Sequence, residues 1–271
     1  MGRNTQSRKL NTNSPRPGQR EVSIAFGPRR DLSASGGSAG LPLKAFLKER
    51  LSPVVIPGSS QLLREGAAEL GISLTTKHLV DFELYLKELN QWRKKINLVS
   101  RKDDREIVLK DFLDSLTLAK YIPGMSFLLD LGSGAGFPGF PLKIVLPDLK
   151  VFFLEATRKK VFFLRDVQRL LSADGVEIRW TAGNQGVEDL FCRFDFVVSR
   201  AFGSIQELAF AGSRFLRKGG MLVAMKGKKG REDLKDDLSS LREMKLKLGF
   251  MESFRLPFLN HERTLIGLIK H

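Results

Sequence analysis

The stretch Phe127–Leu142, with the sequence FLLDLGSGAGFPGFPL, constrains the fold more than any other part of the chain. It opens on apolar residues that suit a short buried strand, and an apolar helical pattern follows it. Between the two lie four glycines within eight positions. A strand, a glycine-rich turn and a helix in this order bring backbone N–H groups close to a bound nucleotide-like ligand. The stretch therefore predicts a ligand-binding turn at one edge of a sheet.

The glycine spacing alone does not identify that ligand. Gly134–Gly139 reads GAGFPG and fits the pattern G-x-G-x-x-G, which also describes NAD sites. Pro138 stands inside the motif and has no N–H, although a pyrophosphate would take a backbone hydrogen bond there. Asp130 and Gly132 widen the motif to D-x-G-x-G-x-G. These details favour a cofactor with a nucleoside but without phosphate, and an NAD-dependent oxidoreductase stays the alternative.

Composition bounds the class of protein. Among the 271 residues, no stretch approaches the roughly 20 apolar residues of a membrane span. The one cysteine, Cys192, excludes an intrachain disulfide and suits a reducing compartment, and three separated histidines offer no metal site. The net charge of +15 favours a polyanionic partner, nucleic acid above all. A basic tail that serves only solubility is the plainer alternative.

Three segments follow one another along the chain. Residues 1–60 are rich in Ser, Gly, Pro and basic residues, which predicts a disordered basic extension with a short amphipathic helix at Leu41–Leu51. The basic extension leaves an organellar stroma or matrix as the alternative to a cytoplasmic location. Apolar spacings of three and four predict a helical region over residues 61–124. Residues 125–271 form the domain that contains the glycine turn.

Helices in the middle segment are predicted from Gln61 to Leu70, from Thr75 or Thr76 to near Asn97, and from Asp103–Asp104 to Pro123. Beyond it the predicted strands are Phe127–Leu131, Val151–Glu155, Val176–Trp180, Phe194–Ser199 and Met221–Met225, followed by the pair Met251–Leu256 and Thr264–Lys270. The predicted helices between them are Leu142–Leu146, Arg158–Leu171, Ile205–Leu216 and Arg231–Leu248. This alternation predicts an α/β fold with a parallel sheet covered on both faces, and the final pair predicts an antiparallel last strand.

Polar residues at the carboxyl ends of these strands complete a candidate site. Glu155 ends the second strand, where an acid accepts hydrogen bonds from ribose hydroxyls. Arg200 follows the fourth strand and Lys226 ends the fifth, so both face the crevice of the glycine turn, where basic groups contact anions. Val187 and Glu188 follow the third strand, in a loop suited to closing over an adenine. Ordinary ion pairs and a helix N-terminus are the plainer alternatives.

The predicted helix Arg158–Leu171 (RKKVFFLRDVQRLL) is basic and amphipathic. Its Lys and Arg side chains suit contacts with RNA phosphates. A solvated polar face is the plainer interpretation, because long charged side chains commonly cover apolar surface with their stems.

Several motifs together resemble one known family. They are DLGSGAGFPGFPL from Asp130, EATRKKVFFLR from Glu155, SRAF from Ser199, MKG from Met225, and NLVSRKDDREIVLKDFLDSL over Asn97–Leu116. In these segments the chain is similar to the GidB/RsmG family, the bacterial 16S rRNA guanine-N7 methyltransferases. The resemblance covers about Leu62–Lys270.

This resemblance implies a class I S-adenosylmethionine-dependent methyltransferase fold, Rossmann-like, with a seven-stranded sheet and an antiparallel last strand. The implied reaction moves a methyl group from S-adenosyl-L-methionine to N7 of guanine 527, in the 530 loop of 16S rRNA. The implied partner is 16S rRNA or the small ribosomal subunit, without a membrane, and we expect a monomer. Implied cofactor contacts are Gly132, Phe137, Val187, Glu188 and Arg200, to which the turn and the second strand add Gly134 and Glu155. Arg200 and Lys226 would lie toward the substrate.

Three departures from the family pattern stand out. Gly186 occupies a position where members commonly carry an Arg, Asp111 occupies one often held by His, and residues 1–60 have no counterpart. Methyl transfer to N7 releases no proton, so it requires positioning rather than an acid or base. The chain accordingly offers no Ser-His-Asp set, P-loop lysine or paired carboxylates. A non-catalytic RNA-binding protein of ribosome assembly remains a further alternative.

Overall fold

A computed structural model describes residues 57–101, 103–181, 186–200 and 202–271, without the side chains of 57 and 235–238. The predicted helix at Leu41–Leu51 and most of the predicted disordered extension, residues 1–60, lie outside these ranges; residues 57–60 are described and belong to the first helix. The strands are β1 Phe127–Leu131, β2 Lys150–Glu155, β3 Val176–Trp180, β4 Phe194–Ser199, β5 Leu216–Lys226, β6 Leu246–Arg255 and β7 Glu262–Lys270. The helices are α1 Pro57–Glu69, α2 Thr76–Trp92, α3 Asp104–Ile107, α4 Leu113–Leu116, α5 Gly139–Val145, α6 Arg158–Leu170, α7 Ile205–Gly212 and α8 Gly230–Glu243.

Within the described ranges, seven strands form one sheet in the order β3-β2-β1-β4-β5-β7-β6. β1 to β5 pair in parallel, whereas β7 is antiparallel to both β5 and β6. The predicted α/β class with an antiparallel last strand is therefore confirmed. The chain moves outward from β1 to β3 and then returns to β4, so the strand order reverses between β1 and β4. In sheets of this kind, ligands bind outside the carboxyl ends of the strands at the point of reversal.

Two apolar clusters cover the two faces of the sheet. Leu128 of β1 belongs to the first cluster and Leu129 to the second, because successive side chains of a strand point to opposite faces. The first cluster contains Phe163 of α6 together with the N-terminal helices, and the second contains Leu208 of α7. Helices α6 and α7 therefore lie on opposite faces of the sheet.

Helix α2 contributes the residues of the first apolar cluster that reach the glycine turn. Its N-cap is Thr75, whose hydroxyl accepts a hydrogen bond from the His78 N–H at 3.2 Å. Its buried face includes Phe82 and Tyr85. The helix ends at Trp92 rather than near Asn97. The apolar pattern runs further because Ile96, in the turn beyond the helix, still packs on the core.

The predicted helix that starts at Asp103–Asp104 consists of four shorter helical pieces. A π-helical turn, Val108–Phe112, separates α3 from α4, and a 3-10 turn follows at Ala119–Tyr121. The N-cap is Asp103, whose carboxylate accepts from the Glu106 N–H at 2.8 Å. π-helical turns are rare and are frequent at functional sites.

Two later helices end sooner than the apolar periodicity predicted. Ile205–Leu216 stops at Gly212, and Arg231–Leu248 stops at Glu243. The last apolar residues of each pattern belong instead to β5 and β6. Lys245 has a φ of +59°, which is incompatible with continuing a right-handed helix and redirects the chain into β6.

Candidate cofactor and substrate site

The glycine turn, residues 132–139, leaves the carboxyl end of β1 and leads into α5. Its first three glycines have φ values of +72°, +58° and +85°, a region that L-residues rarely adopt. Gly139 is required by space, since a Cβ there would lie 2.3 Å from the Phe153 ring and 2.9 Å from Oδ2 of Asp130. The turn therefore packs directly on β1 and β2 at the point where the strand order reverses.

Asp130 lies fully buried beneath this turn. Its Oδ2 accepts a hydrogen bond from the Gly139 N–H at 2.9 Å, whereas its Oδ1 has no hydrogen-bond partner among the described residues. Burial raises the pKa of Asp130 from 3.8 to about 7; the Gly139 N–H and Arg200 oppose this, and Glu155 adds to it. Buried carboxyl oxygens normally have a hydrogen-bond partner, so a ligand that donates a hydrogen bond would fit at Oδ1.

Glu155 connects the end of β2 to the glycine turn. Its side chain is buried, and Oε2 accepts the Gly134 N–H at 2.8 Å while Oε1 accepts the Thr157 N–H at 2.8 Å. A carboxylate has about four lone-pair sites, so two remain after these bonds. The acid predicted from its place at a strand end thus lies against the turn. The ribose contact itself stays a prediction.

Tyr85 of α2 holds the turn from the other side. Its hydroxyl donates a hydrogen bond to the Ala135 carbonyl, and its side chain is fully buried. Its ring packs at centroid distances of 5.4 Å from Phe112, 5.6 Å from Phe137 and 5.6 Å from Phe140. The sequence interpretation missed Tyr85. Its spacing of three from Phe82 would have included it in the apolar face, but not its bond to a turn fifty residues away.

A cluster of two buried aspartates and three arginines lies beside the turn; we call it the Arg–Asp cluster. Arg101 donates to both oxygens of Asp111, at 2.9 and 3.1 Å. Nη2 of Arg200 donates to Oδ1 of Asp111 at 2.8 Å and lies 3.5 Å from Oδ2 of Asp114. Nη2 of Arg263 donates to Oδ2 of Asp114 at 3.2 Å. Only Arg200 was predicted as a site residue.

This cluster fixes Arg200 but leaves part of its guanidinium free. Its Nη1 is buried and has no hydrogen-bond partner in the described part of the chain. Its Cζ lies 5.5 Å from the ring centroid of Phe137, which comes from the glycine turn. Burial raises the pKa of Asp114, and Arg200 and Arg263 oppose that rise. Arg200 thus forms the ion pairs of the plainer alternative, but its Nη1 still has no acceptor among the described residues.

The other predicted site residues differ in their surroundings. Nζ of Lys226, at the end of β5, donates to the carbonyls of Phe202 and Gly203. Val187 is buried in the second apolar cluster, and the exposed Glu188 starts a 3-10 turn. In the glycine turn, Gly132 is exposed, Gly134 is partly exposed and Phe137 is buried.

The described residues contain no group of three His, Cys, Asp or Glu side chains that would hold a metal ion. None of the helices in those ranges combines the length and apolarity needed to cross a bilayer.

A parallel sheet into which the seventh strand is inserted antiparallel beside β5, with a glycine turn and an acid at the point of reversal, defines the class I methyltransferase fold. The same fold is found in the crystal structure of M. jannaschii TYW2 in complex with AdoMet, to which this chain is similar with a TM-score of 0.51. That match has 15% sequence identity and covers 66% of this chain and 80% of the other.

A family model described as rRNA small subunit methyltransferase G matches residues 78–264, and the chain belongs to this family. It is 42% identical over 212 residues to the ribosomal RNA small subunit methyltransferase G of Geotalea uraniireducens, covering 78% of this chain and 97% of that protein. The protein of the same name from Geobacter sulfurreducens is 39% identical over 208 residues, with 77% and 96% covered. The predicted family is therefore confirmed.

Proposed function

We propose that this chain transfers a methyl group from S-adenosylmethionine to N7 of a guanine in the RNA of the small ribosomal subunit. The observation that carries the proposal is the convergence of the glycine turn, Glu155 and Arg200 at the reversal point of the sheet. Family membership supports an RNA substrate, and the fold supports the cofactor. The guanine and its N7 atom follow from the motif resemblance.

The residues around the turn fit the cofactor. Oδ1 of the buried Asp130 and the buried Nη1 atom of Arg200 each have no hydrogen-bond partner among the described residues. The cofactor's methionine end carries an amino group and a carboxylate, so a free acceptor and a free donor suit it. The lone pairs that Glu155 keeps suit the two ribose hydroxyls. When bound, the cofactor would supply a methyl group that its sulfonium has already activated.

The chain's own contribution is positioning. N7 of guanine carries an exposed lone pair and no proton, so the transfer requires an in-line approach and no general base. Such alignment contributes on the order of 7–11 kcal/mol to lowering a barrier. Arg200 is held by a buried carboxylate, so its guanidinium is oriented before ligands arrive. The ammonium of Lys226 has three N–H donors and donates to two carbonyls, so the third N–H can reach an acceptor such as guanine O6.

Methyl transfer to small subunits from cells that lack this gene tests the proposal. We expect labelled methyl groups from S-adenosylmethionine to appear as N7-methylguanine at one position of 16S rRNA, guanine 527. We expect Arg200→Ala to lower kcat/KM by at least about tenfold, because one charged contact in a buried site contributes roughly 1.5–3 kcal/mol. Wild-type rates for Arg200→Ala would contradict its role, and an unmodified 16S rRNA would contradict the proposed reaction.

Calorimetry separates this function from the alternatives. The proposal requires binding of S-adenosylhomocysteine and no binding of NADH. The reverse pattern would identify an oxidoreductase. Binding of RNA without any methyl incorporation would identify a non-catalytic assembly protein.

A further inference from the structure

Helix α6 presents a stripe of exposed side chains that the proposed reaction does not use. Arg158, Phe162, Arg165 and Arg169 follow one another at spacings of four, three and four, which places them on one face of the helix. All four are exposed, and Phe162 is 55% exposed. We call these four residues the α6 stripe. The apolar face that α6 buries is formed by other residues, so packing does not account for Phe162.

Trp180 extends the α6 stripe at its N-terminal end. Trp180 is 39% exposed, its Nε1 donates to the Ala156 carbonyl at 2.8 Å, and the Arg158 Cζ lies 4.3 Å from the centroid of its ring. Trp180 pairs in register with Glu155, the acid beside the glycine turn. The aromatic and cationic surface therefore begins next to the candidate cofactor site.

The charge of this surface is largely uncompensated. Among the described residues, Arg158 and Arg165 form no ion pair, whereas Arg169 pairs with Asp166. A solvated polar face would account for the arginines. A solvated polar face would not account for the phenylalanine between the arginines, or for the partly exposed tryptophan beside Arg158.

We propose that the α6 stripe and Trp180 bind single-stranded RNA that flanks the target nucleotide. Aromatic faces stack on bases of any sequence, and guanidinium groups between them contact phosphates; the two together are typical of single-strand binding surfaces. From Arg158 to Arg169 the stripe is about 16 Å long at 1.5 Å per residue. This inference rests on the proposed function, because it takes the RNA of the small subunit as the ligand.

Two variants of the full chain test it, with S-adenosylhomocysteine bound and a fluorescein-labelled single-stranded oligoribonucleotide as the probe. We expect Phe162→Ser to weaken RNA binding about tenfold, with no change in the slope of log K against log salt, since it removes stacking only. We expect Arg165→Gln to make that slope less negative by about 0.7, the effect of one lost phosphate contact on a single strand. Phe210→Ser is the matched control, because Phe210 is 69% exposed on α7, on the opposite face of the sheet.

A second readout uses the two tryptophans of the chain. In a Trp92→Phe protein, Trp180 is the sole tryptophan, and we expect its fluorescence to be quenched when the oligoribonucleotide is added. The proposal requires both the loss of affinity and the quenching. Unchanged affinity in Phe162→Ser and Arg165→Gln would overturn it, and so would unchanged Trp180 emission.

Small ribosomal subunits extend the test to the whole substrate. We expect the KM for subunits to rise in Phe162→Ser while kcat and S-adenosylhomocysteine affinity stay at wild-type values. A rise in KM with unchanged affinity for the naked oligoribonucleotide would indicate a protein contact and overturn the RNA proposal. If wild-type protein binds the oligoribonucleotide through the stripe but methylates no subunit RNA, the proposed function fails and the binding surface stands.

Discussion

Asp111 offers the sharpest test of the candidate site. Its carboxylate is buried and accepts three hydrogen bonds of 2.8 to 3.1 Å from Arg101 and Arg200. With all five groups ionised, the Arg–Asp cluster has a net charge of +1; Asp111→Asn makes it +2 with almost no change in volume. Removing one partner of a buried ion pair costs about 3–5 kcal/mol, because the remaining charges lose their compensation. We expect Asp111→Asn to lower the free energy of unfolding by about that amount.

Urea denaturation measures this loss directly. The midpoint should fall while the slope m stays constant, since the change acts on the folded state and not on the surface exposed by unfolding. Asp81→Asn is the matched control: Asp81 pairs with Lys77, whose side chain is 75% exposed, and we expect a change below about 0.5 kcal/mol. If Asp111→Asn lay within about 1 kcal/mol of the wild type, the cluster would not be the tightly compensated site described above.

Three further predictions concern the glycine turn. Tyr85→Phe leaves a buried carbonyl of the turn without its donor, so we expect a loss of about 1–3 kcal/mol in unfolding free energy. We also expect calorimetry to show weaker S-adenosylhomocysteine binding. Tyr121→Phe, which alters the other tyrosine, should leave that binding unchanged. Asp130 has a folded pKa of about 7 against 3.8, so its folded state takes up a proton more readily than the unfolded chain. Its contribution to stability is therefore full below about pH 4 and lost as pH rises through 7; urea titrations at several pH values should show this decline in the wild type and its absence in Asp130→Asn. Gly139→Ala forces a Cβ into an aromatic ring of β2 and should cost about 1–3 kcal/mol in the same assay, whereas Gly58→Ala, with open space around its Cα, should change stability by less than about 1 kcal/mol.

Local patterns in the sequence were sufficient to predict the sheet and the turn. β1, β3 and β4 begin and end at the predicted residues, because turn residues bound all three, with mostly apolar residues in β1 and β4 and alternating apolar and charged residues in β3. The turn was predictable as well, because its four glycines lie within eight positions and three of them have positive φ values that favour glycine. Glu155 followed from its place at the end of a strand, which depends only on topology.

The Arg–Asp cluster was not predictable in this way. Arg200 and Asp111 are 89 positions apart, and Arg263 and Asp114 are 149 apart. Each aspartate alone looks like an acid on an amphipathic helix. The helix boundaries at Gly212 and Glu243 were missed for a related reason: an apolar residue satisfies the helical period whether it packs from a helix or from the strand that follows.

The insertion of β7 between β5 and β6 has a consequence for the order of folding. β6 is synthesised before β7, and the only strand it pairs with among the described residues is β7, which follows it in a hairpin and itself lies beside β5. Direct pairing of β6 with β5 would be a kinetic trap that must be undone. Because Arg263 lies on β7, the Asp114 pair forms only after this strand has docked. Completion of the Arg–Asp cluster is therefore tied to the docking of the last strand of the chain on β5, and a chain arrested before that step would have its glycine turn but lack one of the three arginines of the cluster.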